Sequence, residues 1–207
     1  MISVSPSCKS HDSRALTPEI HDWELHDPAL SDEGIEQCRI LAADLQRNFP
    51  FTADECRIVV SPLTRTLQTV YYALSWLRDQ GVPVEVRAEW QEWTDNPCDI
   101  GSDPTSIKKD WPDFDFSELD PIYPQKVGLY GASPEALQKR SSFARRWLSK
   151  RPEKCVIVVT HSGFLKRVVE GAKFRNVEYR SYEVVDNSAT GEVDLKELNK
   201  KQPLERR

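Results

Sequence analysis

Histidine, methionine and glycine are all scarce in this 207-residue chain, with four, one and eight copies, so each remaining instance carries weight. No apolar run approaches the roughly 20 residues that span a bilayer, and "MISVSPSCKSHDSR" lacks the apolar core of a secretory leader. A cytoplasmic protein, also compatible with the nucleus and without a membrane partner, is therefore expected. An excess of one charge is missing too. The 28 basic and 33 acidic residues are mixed along the chain for a net charge of -5, which is no phosphate-backbone footprint, and no nucleic-acid partner is expected. The basic tail "KKQPLERR" reads as a solvated end. Five cysteines, Cys8, Cys38, Cys56, Cys98 and Cys155, form no C-x-x-C pair, so neither a zinc site nor a disulfide framework is indicated. His21 and His26, five apart, do not share a helical face and make a poor metal pair. P-loop and dinucleotide glycine fingerprints are absent, and so is the G-x-S-x-G elbow of serine hydrolases. No metal or cofactor is expected.

What is present is a soluble, globular balance, 39% hydrophobic and 29% charged, in a chain long enough for one sizeable core. No internal repeat interrupts it. Residues 1 to 26 read as irregular, with a short strand at Ile2 to Val4. Ser31 is a plausible N-cap, with Asp32 and Glu33 at the positive end of a helix whose buried face is Ile35, Cys38, Leu41 and Leu45. "CRIVV" predicts a strand to Val60. Ser61 as N-cap and Pro62 in the first turn then predict a helix with the stripe Leu63, Leu67, Val70, Leu74 and Leu77. "VPVEVRAEW" alternates with period two and predicts the next strand. Residues 94 to 132 carry no clear period and predict a lid or binding insertion. Ser133 and Pro134 open a third long helix with Leu137, Ala144 and Leu148 on its core face, beside Phe143 and Trp147. "CVIVVTH" is apolar throughout, as in strands covered on both faces. A helix after Gly163 and a strand near "YRSYEVV" complete the order. Alternating strands and helices predict a single three-layer α/β domain with a mainly parallel sheet.

Three polar residues fall at equivalent places in that scheme. Arg65 lies in the first turn after strand "RIVV", Glu92 just past "VEVRAEW", and His161 at the end of "CVIVV". The carboxyl ends of parallel strands open on one crevice, so these residues can converge there. Arginine's planar fork suits a phosphate or carboxylate, and histidine can donate to an oxyanion or carry a proton. A carboxyl group desolvated by Trp90 and Trp93 can act as a general acid. Helix N-termini at the same corner add amide donors. An anion pocket follows.

"SPLTRTLQT", "QEWTDNPCDIGS" and "VVTHSGF", in this order, resemble the histidine phosphatase (phosphoglycerate-mutase-like) superfamily. "DPALSDEGIEQC" resembles its segment before the first long helix; "WPDFDF" and "RSSFARRWLSKRPEKCVIVVTHSGFL" resemble its fungal phosphatase-type members. The resemblance covers roughly residues 27 to 185. It implies a phosphoglycerate-mutase-like fold and a phosphomonoester hydrolase acting on a small organic phosphate. It further implies that Arg65 and His161 hold the phosphoryl group and that Glu92 protonates the leaving group. Cys98, Asp99, Ser102 and Ser162 stand at the rim of the same pocket, where Cys98, Ser102 and Ser162 are candidate substrate contacts. Turn-forming or filling roles are open to the same residues, and Trp90, Trp93 and Trp111 are either pocket lining or core.

The resemblance breaks at one place. The family's Arg-His-Gly or Arg-His-Ala triplet occurs nowhere in the chain, and counting back from "LTPEIHDWELHDP" puts its position near Cys8, Lys9 and Ser10. Three readings follow. His11, two positions off register, serves as the nucleophile. Or the chain is a descendant that binds a phosphorylated or carboxylate ligand, or does acid–base chemistry on it, with Arg65, Glu92 and His161. Or the first strand is altered.

Overall fold

The structure, a computed structural model, describes residues 2–4, 22–170, 172–187 and 191–199. Four strands, β1 (Ile2–Val4), β2 (Cys56–Val60), β3 (Val84–Val86) and β4 (Cys155–Val159), form a parallel sheet in the order β1-β4-β2-β3. Val4 and Val60 both pair with Val159, and Val60 also pairs with Val86, so the four strands stop at one level. Whatever follows each strand is thereby delivered to a common edge. Every residue of β4 is buried, as its unbroken apolar run requires.

Helices cover both faces. On one side α1 (Asp32–Asn48) and α2 (Thr64–Ala73) pack Cys38, Leu41, Leu45, Leu67 and Val70 onto Ile58, Val60, Val84, Val86, Ile157 and Val159. The next residue, Leu74, breaks the helix at φ -124°, and a single further turn, α3 (Ser75–Arg78), carries Leu77 into the same core. On the other side α5 (Pro134–Ser149) and α6 (Ser162–Val168) pack Leu137, Ala144, Leu148, Phe164 and Leu165 onto Val59, Val156 and Val158. Ser31 and Ser133 cap α1 and α5 as expected, each Oγ accepting a first-turn N–H at 3.1 Å. The architecture is the three-layer α/β sandwich read from the sequence.

Three details differ. Ser61 does not cap α2: the helix starts at Thr64 with Leu63 in the capping position, and the Ser61 hydroxyl turns to His161 instead. The strand read from "VPVEVRAEW" is only Val84–Val86, and Ala88–Trp90 coil into a 3-10 turn. All three strand residues are buried, so the alternation misled: Glu85 lies inside because arginines meet it there. The strand near "YRSYEVV" exists as β5 (Ser181–Asn187), but it pairs antiparallel with β6 (Glu192–Asn199) in a separate two-stranded sheet.

Residues 94–132 contain α4 (Pro104–Asp110) and are fastened to the edge of β3, where Val86 N–H donates to Asp115 O and Asp115 N–H to Val84 O, both at 2.8 Å. Ile107, Phe114, Phe116, Tyr123 and Tyr130 sink into the α1–α2 core. Among the described residues, no helix is long and apolar enough to cross a membrane.

Under α5 the sheet carries ion pairs. Glu85 accepts from Arg57 at 3.3 Å and Arg87 at 2.8 Å; Arg87 also forks onto Glu89, and Arg57 and Arg151 converge on Glu153. Arg87 and Arg151 both lie over the Trp147 ring, at 4.8 and 4.7 Å. Burial alone would raise the Glu153 pKa, but the hydrogen bonds from Arg151 and Arg57 override it and hold the carboxyl down to about 2. A carboxylate depressed in the folded state contributes stability above its unfolded pKa, roughly 4.3, and loses it as pH falls towards the folded value. Denaturant unfolding followed between about pH 5 and 2 should therefore show a steep acid loss that Glu153→Gln flattens; parallel acid limbs for the two proteins would contradict this reading.

Candidate active site

Because β2, β3 and β4 end together, the three residues singled out in the sequence meet. Arg65 stands in the first turn of α2 and His161 occupies the capping position of α6, both buried. An Arg65 Nη2 N–H donates to His161 Nδ1 at 3.1 Å; the same nitrogen donates to Asp99 Oδ1 at 2.9 Å, and Nη1 donates to the Cys98 carbonyl at 2.6 Å. A guanidinium can only donate, so Nδ1 is an acceptor and the imidazole proton sits on Nε2. That N–H donates to Ser61 Oγ at 2.8 Å. Burial first, then the charges of Arg65, Lys126 and Arg140, push the His161 pKa well below the usual value. The ring is a neutral N–H donor. Ser61 and His161 are therefore not a nucleophile–base pair, because the nitrogen facing the hydroxyl already holds its proton.

Glu92 follows the Ala88–Trp90 turn and reaches across to α6. Its Oε1 accepts Trp93 N–H at 3.0 Å and its Oε2 accepts Gly163 N–H at 3.1 Å. Burial, and then the like charge of Asp99, raise its pKa, as the flanking Trp90 and Trp93 led one to expect. Trp90 itself belongs to the core, edge-on to Phe164. Glycine at 163 leaves room for this carboxyl: a Cβ there would lie 2.5 Å from Glu92 Oε1 and 2.7 Å from Oε2, so the Glu92 side chain would have to shift.

Residues not assigned from the sequence complete the site. Asp27, buried and held at φ 42°, accepts four hydrogen bonds, from Thr64 N–H and Oγ1 at 2.9 Å each and from Ser102 N–H at 2.8 Å and Oγ at 2.6 Å. It thus ties the start of α2, which carries Arg65, to the loop that carries Cys98 and Asp99. Thr94 Oγ1 donates to the second oxygen of Asp99. Lys126 Nζ donates to the Glu92 backbone carbonyl at 2.7 Å, and burial together with Arg140 brings its pKa down to about 7. Arg140, on α5, is fully buried with its guanidinium 4.4 Å over the Phe164 ring. In the sequence, Asp27 and Arg140 open two of the segments that carry the family resemblance, but no strand end or local pattern gave either of them a role.

Of the other candidates, Cys98 contributes its carbonyl to Arg65 and is half-buried, and Ser102 is engaged with Asp27. Ser162 opens α6 beside His161. Trp111 packs against Tyr71 and Phe114, away from these groups. His26 is exposed. His11, His21 and the Cys8–Lys9–Ser10 position lie outside the described residues. The chain between Val4 and His11, "SPSCKS", contains no histidine.

Two outcomes are expected. The His161 ring should keep the Nε2–H tautomer from pH 8 to 5 in a 15N NMR titration. Because its folded pKa is depressed, stability should fall as pH drops below the unfolded value of about 6.5; a midpoint near 6.5 for this ring would refute the assignment. Gly163→Ala should cost about 1–3 kcal/mol through overpacking, and most of that cost should vanish in a Glu92→Ala background. Additive costs in the double-mutant cycle would show that the two sites do not touch.

The sequence pattern described as histidine phosphatase superfamily (branch 1) matches residues 22–201. A probable phosphatase of Schizosaccharomyces pombe is 34% identical over 140 residues, which are 66% of this chain and 63% of that protein. Phosphoglycerate mutase-like protein 2 of Arabidopsis thaliana is 33% identical over 107 residues, 44% of this chain and 31% of that protein. The chain thus spans less than two thirds of these relatives' length. Its fold is similar to that of the ecdysone phosphate phosphatase of Bombix mori, solved with tungstate, with TM-score 0.57, 14% identity and coverage of 86% of this chain and 74% of that one. It is also similar to a phosphoserine phosphatase mutant of Entamoeba histolytica solved with phosphoserine, with TM-score 0.52, 16% identity and coverage of 94% and 93%. At such identities the likeness is one of fold, and that fold is phosphoglycerate-mutase-like. With a parallel sheet that brings Arg65, Glu92 and His161 together and a family pattern spanning residues 22–201, the chain belongs to the histidine phosphatase superfamily.

Proposed function

We propose that this chain is a phosphomonoester hydrolase directed at a small organic phosphate. The observation that carries the reading is the contact of Arg65 with a neutral His161 beside a Glu92 whose burial favours the protonated acid. Arg65 and the His161 Nε2–H hold the phosphoryl oxygens, the latter exchanging Ser61 for the ligand. Glu92 gives its proton to the leaving alkoxide as the P–O bond breaks. His11 is the candidate nucleophile: its ring nitrogen forms a P–N bond, and water then releases orthophosphate. The 94–132 segment closes one side of the pocket, supplying Asp99 and Lys126.

A second reading is favoured by one fact of the sequence: no Arg-His-Gly or Arg-His-Ala triplet exists, and no histidine stands between Val4 and His11. In it the pocket holds a phosphorylated or carboxylate ligand without hydrolysing it.

Phosphate release from a panel of phosphomonoesters separates the two. With a working nucleophile, His11→Ala should lower turnover by about 10⁴ or more, and Glu92→Gln by about 10² to 10⁴. Release untouched by His11→Ala would remove His11 from the mechanism. No release from folded protein that still binds orthophosphate through Arg65 would establish the binding reading.

A further inference from the structure

Charges that look mixed along the chain separate once they are placed on the fold. Residues 139–175, which run from the second turn of α5 through β4 and α6 to the loop beyond, hold 11 basic and 2 acidic residues, a net charge of +9. The rest of the chain keeps 17 basic and 31 acidic residues, a net charge of -14. Lys139, Phe143, Arg146 and Lys150 recur at helical spacing and are all exposed, so they form one outer stripe along α5. Lys166 and Arg167 are exposed in the last turn of α6, and Lys173 and Arg175 in the loop after it. From Lys139 to Lys150 the chain carries no acid, and Glu170 is the one acid between Lys166 and Arg175.

Towards the sheet, the cations of this layer are answered within the fold. Arg57, Arg87, Arg151, Lys154 and Arg180 all have carboxylate partners. The seven outward cations pair with no acid among the described residues. Helix dipoles favour a cation in a last turn only weakly, and Lys139, Lys173 and Arg175 stand in no last turn.

α5 and α6 turn their buried residues to the same side of the sheet, so their exposed sides face the same way. The seam between them is filled: Arg145 crosses from α5 and donates to the Arg167 carbonyl at 3.0 Å and the Val168 carbonyl at 3.3 Å. The result is a shallow basic area, about 16 Å long on α5, with the Phe143 ring in the middle of its stripe. The β5–β6 hairpin also packs on α5 and exposes Glu183, Asp186, Glu192 and Asp194, so the positive area ends there. A peptide or helix is selected by a groove or a sheet edge, and the filled seam offers no groove. Scattered cations around one aromatic ring match an anionic plane, where the cations meet headgroups and the ring enters the acyl boundary. Acids of α1 such as Glu33 and Glu36 lie on the far side of the sheet, beyond the Debye length of about 8 Å, and are screened from that plane.

We infer that the outer side of α5 and α6 is a docking surface for anionic lipid headgroups, with Phe143 inserted among them. The surface lies on the flank of the sandwich rather than at the strand ends, and it is independent of the chemistry proposed for Arg65. The expectation of no membrane partner rested on the lack of a spanning run and on charge counted over the whole chain, and neither bears on a surface contact.

The test is co-sedimentation of the full chain with vesicles of phosphatidylcholine, alone or mixed with phosphatidylserine, at about 0.15 M salt. Mixed vesicles should carry the protein down and phosphatidylcholine vesicles should not. Lys139→Gln/Arg146→Gln should weaken binding about twentyfold or more, at roughly fivefold per cation. Phe143→Ala should weaken it about tenfold. Lys108→Gln/Lys109→Gln makes the same change of net charge at exposed positions on α4 and should leave binding within about twofold. No sedimentation with mixed vesicles, equal binding to both vesicle types, or equal losses in the two double variants would each overturn the assignment. Retention on immobilised polyglutamate or on an oligonucleotide, without vesicle binding, would give the surface to a protein or a nucleic acid and overturn it too.

Discussion

The donation from Arg65 to His161 Nδ1, 3.1 Å long, is the contact on which the rest of the site depends. A cation beside an imidazole settles two questions at once. It fixes which nitrogen carries the proton, and it opposes a second proton arriving. Everything that follows from His161 as a neutral donor, including the exclusion of Ser61 as a nucleophile, comes from that geometry. The contact in turn needs Arg65 held still, and Asp99, the Cys98 carbonyl and the Asp27 tie to the start of α2 do so.

The chain handles its buried and half-buried arginines in two ways. Arg57, Arg87 and Arg151 lie under α5 with Glu85, Glu89 and Glu153 as direct partners. Arg140, on the same helix side of the sheet, has none among the described residues. Complete pairing makes the first group part of the framework, because its charges are answered within the fold.

Much of this architecture was legible in the sequence, and the failures have physical reasons. Caps at Ser31 and Ser133 and the unbroken run "CVIVV" depend on local chemistry, which a linear reading captures. Ser61 was misread as a cap because its alternative partner, His161, is 100 residues away. Period-two alternation around Glu85 failed because a buried carboxylate looks the same in sequence as an exposed one; only the arginines that reach it, from Arg57 and Arg87, distinguish the two. Arg65, Glu92 and His161 were recoverable because each closely follows a strand, so topology alone gathers them. Asp27, Lys126 and Arg140 come from a loop before α1, from the 94–132 segment and from the middle of α5, where no rule of strand ends applies.

Asp27 has a mechanical consequence. By binding both Thr64 and Ser102, it makes the first part of the 94–132 segment continuous with the wall of the pocket rather than with its cover. The stretch bearing Cys98 and Asp99 is then bolted to α2 and moves with it. Beyond Ser102 the segment is held differently, by the Asp115 pairing on the β3 edge and by Phe114, Phe116, Tyr123 and Tyr130 in the α1–α2 core. The wall that sets Asp99 against Arg65 is therefore anchored separately from the stretch that brings Lys126 to the Glu92 carbonyl.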